Sequence, residues 1–260
     1  MLPFWLSIGV LSLVQAALVA IPRAPLTSLG SRLRSRWWAL VLPLSIVVVI
    51  SAITLDSDTA DFLTYLALFA VPPLAAVALA WLVHGGRPAL ALAILPLFAI
   101  AWGARGALGG ETAALALSGL ACVSLGWLAA TAVPSRWLKL GIYAMAAIDA
   151  YLVAGDLLQG PNAVLNTASP GAGLPRLQLA NFGSAVMGFG DLFIAATLGA
   201  LLASNRSLQL RGAALAAVFC LGFDLLFFAV DETPATVPIA LTLASLEGRQ
   251  ALARWRAPER

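Results

Sequence analysis

Long runs of apolar residues, separated by short polar connections, recur along the whole chain. A helix that crosses a membrane needs roughly 20 mostly apolar residues. The pattern therefore predicts an all-α, polytopic membrane protein of about nine transmembrane helices, forming a single transmembrane domain over residues 1–260. The predicted spans are 2–21, 37–55, 61–83, 88–104, 112–133, 137–158, 178–203, 210–230 and 234–248.

Two segments outside the regular pattern carry further expectations. The connection 159–177 is rich in Gly, Pro, Asn and Ser, so we expect a mobile external loop there. The first apolar run has no basic residues before it, and its arginines follow it. A signal peptide has the opposite arrangement, so we expect a retained helix.

Composition agrees with a lipid environment. The chain is 61% hydrophobic and 10% charged, with a mean hydropathy of +0.95. Soluble domains have roughly 45–50% apolar and about 25% charged residues. So few charges cannot form a water-facing shell, and we expect a multi-pass protein of the cell membrane with the lipid bilayer around it.

The basic residues predict the orientation. The net charge is +3, but no continuous basic patch exists, so we expect no nucleic-acid partner. With the N-terminus outside, only Arg105 and Arg176 of the 15 Lys and Arg residues lie on the outer side. Cytoplasmic segments favour Lys and Arg, so the C-terminus is predicted to be cytoplasmic. The other basic residues are Arg23, Arg32, Arg34, Arg36, Arg87, Arg136, Lys139, Arg206, Arg211, Arg249, Arg254, Arg256 and Arg260.

Acidic residues inside the predicted spans are the candidates for chemistry. An acid within the membrane costs roughly 2.5–3.5 kcal/mol on insertion scales, which marks Asp149, Asp191 and Asp224. Asp149 and Asp191 lie at similar depths on consecutive antiparallel spans, which are commonly neighbours. Two facing carboxyls share a proton, so one can activate water while the other polarises a carbonyl. We therefore expect a catalytic pair of aspartates.

Two glycines precede the second acid of this pair. Gly188 and Gly190 flank Phe189 immediately before Asp191. Without side chains, they allow a neighbouring helix or an extended substrate to come close. Cys122 and Cys220 lie in apolar runs and His84 is the single histidine, a set that predicts no metal site and no cofactor.

Gly188-Phe189-Gly190-Asp191 resembles the Gly-x-Gly-Asp motif of intramembrane aspartyl proteases, the signal peptide peptidase and presenilin group. In that group the catalytic aspartates lie on the sixth and seventh of nine helices, where Asp149 and Asp191 are predicted here. The resemblance implies an aspartic endopeptidase that cleaves transmembrane-helix substrates. It implies catalytic helices six to nine within 136–260, and helices one to five within 1–135.

The family also has a Pro-Ala-Leu motif at the start of its ninth helix. Pro238-Ile239-Ala240-Leu241 is similar to it, with Ile239 inserted, and implies a substrate-binding role for these four residues together with Gly188, Phe189 and Gly190. Pro234-Ala235-Thr236 is an alternative match that lacks the leucine. Ile148 precedes Asp149, where the family usually has tyrosine. The predicted orientation is similar to that of signal peptide peptidase.

Three alternatives remain open. A protease of the prepilin peptidase type also uses Gly-x-Gly-Asp, but its first acid leads into a basic loop, whereas Ala150-Tyr151-Leu152-Val153 follows Asp149. A proton-coupled transporter would use Asp149, Asp156, Asp191 and Asp224 as a relay. An inactive family member would act as a chaperone or a binding partner.

Overall fold

The computed structural model describes residues 2–23, 34–56 and 58–256, without the side chains of 249–256. Arg32 and Arg260, which are predicted to be cytoplasmic, lie outside the described residues. The protein is mostly helical (78%). The α-helices of the described residues are α1 Phe4–Ala20, α2 Val41–Leu55, α3 Asp58–Val77, α4 Ile94–Gly103, α5 Leu108–Ala132, α6 Ser135–Ala154, α7 Gln159–Thr167, α8 Phe189–Leu202, α9 Arg206–Asp224 and α10 Val237–Arg256.

Short helical turns extend several of these helices. Within the described residues, five helical segments are long and apolar enough to cross a membrane. They are Arg36–Leu55, Asp58–Leu82, Leu108–Ala132, Ser135–Ala154 and Arg206–Phe228. Shorter apolar helices occupy the other predicted spans, at Phe4–Ala20, Pro88–Gly103, Phe189–Leu202 and Val237–Gly248. The mostly helical structure and these five helices are consistent with an all-α membrane protein, while the nine crossings and the orientation stay predictions.

The seventh predicted span is helical only in its second part. Residues 179–188 form a β-hairpin of strands β1 Leu179–Phe182 and β2 Ala185–Gly188. The expectation of a helix from 178 is wrong here, because the helix begins only at Phe189. Gly183 has φ +61, which glycine adopts without strain, and it begins the two-residue turn that reverses the chain.

The segment 159–177 is also more structured than its composition predicts. Gln159–Thr167 is helical, so the expected loop is wrong over these nine residues. Side chains hold the rest in place. Tyr65 accepts a hydrogen bond from the N–H of Gly171 (3.1 Å), and Arg105 donates to the carbonyl of Gly173.

Helix α8 lies at the centre of the protein, packed between α5 and α1. Small residues permit both contacts. A Cβ on Gly126 of α5 would lie 2.7 Å from the Ala196 backbone of α8, and one on Gly199 of α8 would lie 2.6 Å from the Val19 carbonyl of α1. Close backbone approach at small residues is typical of helix pairs in membranes.

Large apolar side chains cover the outer surface of the described helices. Phe69 on α3 is 76% exposed and Phe228, beyond α9, is 75% exposed. Water would disfavour such a surface, whereas lipid accommodates it. The hydrophobic core therefore continues outward into a lipid-facing layer.

Candidate active site

Asp149 is a buried acid on α6, with 5% of its surface exposed. Its Oδ2 accepts two hydrogen bonds from Thr236, one from the backbone N–H (3.2 Å) and one from the hydroxyl (2.6 Å). Buried polar groups need such partners to offset the loss of water. The segment before α10 therefore holds the carboxyl of Asp149 in one position.

Asp191 lies in the first turn of α8 and is half-buried. Its Oδ2 accepts a hydrogen bond from the N–H of Gly188 (3.1 Å), the residue that precedes the helix. A carboxylate in the first turn commonly caps free N–H groups in this way. The hairpin and the helix thus meet at Asp191.

Both acids line the same cavity, which has a volume of about 920 Å³. The two helices also meet beside the acids, since a Cβ on Gly190, next to Asp191, would lie 3.2 Å from Cε of Met145, one helical turn before Asp149. The cavity is bounded by α2, α3, α5, α6, α7, the hairpin and the start of α8, and its wall is mainly apolar. The wall also carries polar and acidic side chains, among them Asn162, Gln178, Asp231 and Glu232. The predicted pair on neighbouring elements is therefore present in one cavity.

The residues of the Gly-x-Gly-Asp motif lie at the cavity as well. Gly188, Phe189 and Gly190 all line it. A Cβ on Gly190 would lie 3.2 Å from Met145 Cε, and one on Gly188 would lie 3.0 Å from Asp191 Oδ2. Side chains at either position would crowd the cavity wall beside the acids.

The motif assigned to the ninth span lies at the start of α10, but it does not line the cavity. Pro238, Ile239 and Ala240 are buried in the helix packing, and Leu241 is exposed on the outer face. The preceding segment, through Thr233 and Ala235, reaches the cavity instead. Thr236, from the alternative Pro-Ala match, makes the contact with Asp149.

The remaining acids of the predicted set lie elsewhere. Asp224, at the end of α9, accepts a hydrogen bond from Ser12 of α1 (2.9 Å) and does not line the cavity. Asp156 follows α6 on the exposed surface with φ +55. Of the four acids, the cavity therefore brings together only Asp149 and Asp191.

One edge of the hairpin faces the cavity. Residues 184–188 line it, whereas 180–182 do not. The two-residue turn pairs Phe182 with Ala185, so Ala185 and Met187 direct their backbone groups toward β1. Val186 and Gly188 direct theirs away, and the N–H of Gly188 accordingly reaches Asp191. The backbone of Val186 is thus presented at a free strand edge.

Sequence reasoning missed Thr236 and the hairpin. The glycine-initiated turn Gly183-Ser184 between two short apolar stretches is a hairpin signal that the hydropathy pattern concealed. Thr236 had a weaker signal in the alternative Pro-Ala match. Within the described residues, no group of three His, Cys, Asp or Glu side chains is arranged to bind a metal ion.

No protein-family model, curated protein or solved structure matches this chain. The fold and the site thus define a mostly helical protein whose cavity brings together Asp149 and Asp191, with Asp231 and Glu232 also in its wall.

Proposed function

We propose that this protein is an intramembrane aspartyl protease, similar to signal peptide peptidase, that hydrolyses peptide bonds in transmembrane helices. The observation that carries the proposal is that Asp149 and Asp191, from two separate helices, line one cavity. An aspartyl pair is a sufficient set of groups for amide hydrolysis, since one member accepts a proton while the other donates one.

The proposed reaction needs one ionised and one protonated carboxyl. The ionised carboxyl takes a proton from a water molecule as the oxygen of that water forms a bond to the peptide carbonyl carbon. At the same time, the protonated carboxyl gives its proton to the peptide carbonyl oxygen. The resulting tetrahedral diol then collapses. Its C–N bond breaks as the carboxyl that took the proton from water gives it to the nitrogen and the other carboxyl takes a proton from a diol hydroxyl, which leaves a carboxylic acid and an amine. Because the pair titrates as one unit, neither acid is assigned a fixed role.

The free edge of β2 gives a substrate an extended backbone to pair with. A transmembrane helix must unwind before its amide can be attacked, and its freed N–H and C=O groups then need partners. Val186 lines the cavity five residues before Asp191, and its backbone groups point away from β1. Strand addition at a sheet edge is a common way to bind extended peptides. We therefore place the unwound substrate along β2.

The hairpin also fits the proposed nine crossings of the cell membrane, with the N-terminus outside. The 14 residues of α8 measure about 21 Å at ~1.5 Å per residue. The four residues of β2 add about 13 Å at ~3.3 Å per residue, which together match a hydrocarbon core of about 30 Å. Non-helical backbone at membrane depth is tolerated where it lines a cavity, as this hairpin does.

A proton relay would use the four acids along one path. Asp224 and Asp156 do not line the cavity, which favours the paired-acid interpretation over a transporter. Of the acids proposed for the relay, only Asp149 and Asp191 share the cavity, whose wall also holds Asp231 and Glu232.

The test is cleavage of a labelled transmembrane peptide by purified protein in lipid vesicles. We expect Asp149→Asn and Asp191→Asn each to lower the cleavage rate by at least about a hundredfold. Asp224→Asn is the matched control, because it alters an acid outside the cavity, and it should leave the rate unchanged. Cleavage that survives either cavity substitution rejects the proposal. Proton flux across the vesicle without cleavage would favour the transporter.

A further inference from the structure

Gln15 is a buried amide on α1, with 1% of its surface exposed. Its Nε2 donates to the backbone carbonyl of Asp191 (3.2 Å) and to that of Ala235 (2.8 Å). Its Oε1 accepts a hydrogen bond from the thiol of Cys220 (3.3 Å). Helix α1 thus contacts the backbone of Asp191, one of the two aspartates of the pair.

The bonding pattern defines one orientation of this amide. Both neighbours of Nε2 are carbonyl oxygens, which only accept, and the neighbour of Oε1 is a thiol that donates. The reversed amide would set its oxygen against two carbonyl oxygens. A buried amide is costly without partners, so the three hydrogen bonds hold Gln15 firmly.

The two carbonyls belong to the supports of both aspartates. One is the peptide carbonyl of Asp191 itself, near the start of α8. The other is that of Ala235, the residue before Thr236, whose two donors hold Asp149. A single rigid side chain therefore bridges the segment that positions one carboxyl and the helix that carries the other.

We propose that Gln15 is a positioning residue that sets the separation of the Asp149 and Asp191 carboxyls. Gln15 binds backbone carbonyls rather than the carboxyls, so it acts through the elements that carry and support them. Reacting groups displaced by about 1 Å can lose about a hundredfold in rate, so a fixed bridge between the two supports controls turnover. This inference rests on the proposed function of the pair.

Gln209 on α9 offers a matched control. It is also fully buried, its Nε2 donates to the carbonyls of Pro22 (2.9 Å) and Gly199 (3.1 Å), and its Oε1 accepts from Arg206 (2.9 Å). It has the same residue type and burial as Gln15 and also bonds two carbonyls and one donor, but none of its partners lines the cavity.

The experiment compares Gln15→Met with Gln209→Met in the vesicle cleavage assay, with each rate divided by the folded fraction. We expect Gln15→Met to lower kcat by about 10–100-fold with little change in KM, and Gln209→Met to leave kcat unchanged. If Gln15→Met does not fold, Cys220→Ala removes only the thiol donor that orients the amide. It should lower kcat by a smaller factor. If Gln15→Met folds and has the kcat of wild type, the inference is overturned. If Gln15→Met does not fold, a wild-type kcat in Cys220→Ala overturns it instead.

A second readout does not require turnover. The infrared carbonyl stretch of protonated carboxyls, assigned with Asp149→Asn and Asp191→Asn, follows the titration of the pair. We expect two separated steps in wild type and in Gln209→Met, and a changed spacing of the steps in Gln15→Met, because the interaction of two carboxyls depends on their separation. Unchanged steps in Gln15→Met overturn the inference. A wild-type protein that cleaves no peptide refutes the proposed function, and the infrared comparison still tests Gln15.

Discussion

Thr236 directs two hydrogen-bond donors, its N–H and its hydroxyl, to the same oxygen of Asp149, although the two residues are 87 positions apart. The contact ties the segment before α10 to α6 and occupies Oδ2. The other carboxylate oxygen, Oδ1, is then the one that is free to hold water or a shared proton. Thr236 is therefore the nearest support of the first aspartate.

Removing the Thr236 hydroxyl should misplace Asp149. We expect Thr236→Val to lower the cleavage rate by about tenfold or more, since a hydrogen bond to a buried carboxyl is lost. Thr236→Ser retains the hydroxyl and should keep most of the activity. Thr242→Val is the control, because Thr242 is equally buried but donates to the Pro238 carbonyl. Equal rate losses in the Thr236 and Thr242 valine variants would contradict the role of Thr236.

Backbone pairing at β2 is tested by removing one N–H. Val186→Pro deletes a donor that points away from β1, so the hairpin itself keeps its bonds. We expect a several-fold rise in KM, because an extended substrate loses a backbone partner. Val186→Ala changes only the side chain and should leave KM near the wild-type value. An unaltered KM in the proline variant would show that substrate does not pair with this edge.

The packing of α8 against α5 depends on the absence of a side chain at Gly126. We expect Gly126→Ala to destabilise the protein by about 1–3 kcal/mol, since its Cβ would meet backbone atoms that cannot move aside. Gly222→Ala is the control, because nothing lies within 4 Å of a Cβ there, and it should be neutral or slightly stabilising. Thermal unfolding in detergent measures both. A stable Gly126→Ala variant would refute the close contact.

The nine crossings and the orientation predict which residues an impermeant reagent can reach. In a protein with Cys122→Ala and Cys220→Ala, we expect Thr167→Cys, at the end of α7, to react with an impermeant maleimide on intact cells. Ser207→Cys, at the start of α9, should react only after the membrane is opened. The reverse result would invert the proposed topology, and reaction of both on intact cells would change the number of crossings.

The helices were predictable from the apolar pattern because a membrane-spanning helix needs a continuous stretch of apolar side chains. The span expected at 112–133 is Leu108–Ala132, and the one at 137–158 is Ser135–Ala154. The hairpin was missed because hydropathy records the preference for lipid and not the backbone conformation, and residues 179–188 are apolar enough to extend the span.

The candidate site was only partly predictable. The cost of a charge in lipid marks Asp149 and Asp191, and their placement in one cavity agrees with the prediction. Their supports were not predictable, because the contacts of Thr236 and Gln15 join residues far apart in the chain. The Pro-Ala-Leu resemblance selected residues 238–241, whereas residues just before them contact the cavity.

The pH dependence of cleavage tests the shared proton most directly. At low pH both carboxyls are protonated and no base remains, while at high pH both are ionised and no acid remains. The account predicts a cleavage rate that rises and then falls across the pH range, in a protein that stays folded throughout. A rate that rises or falls in one direction only would contradict a proton shared between Asp149 and Asp191.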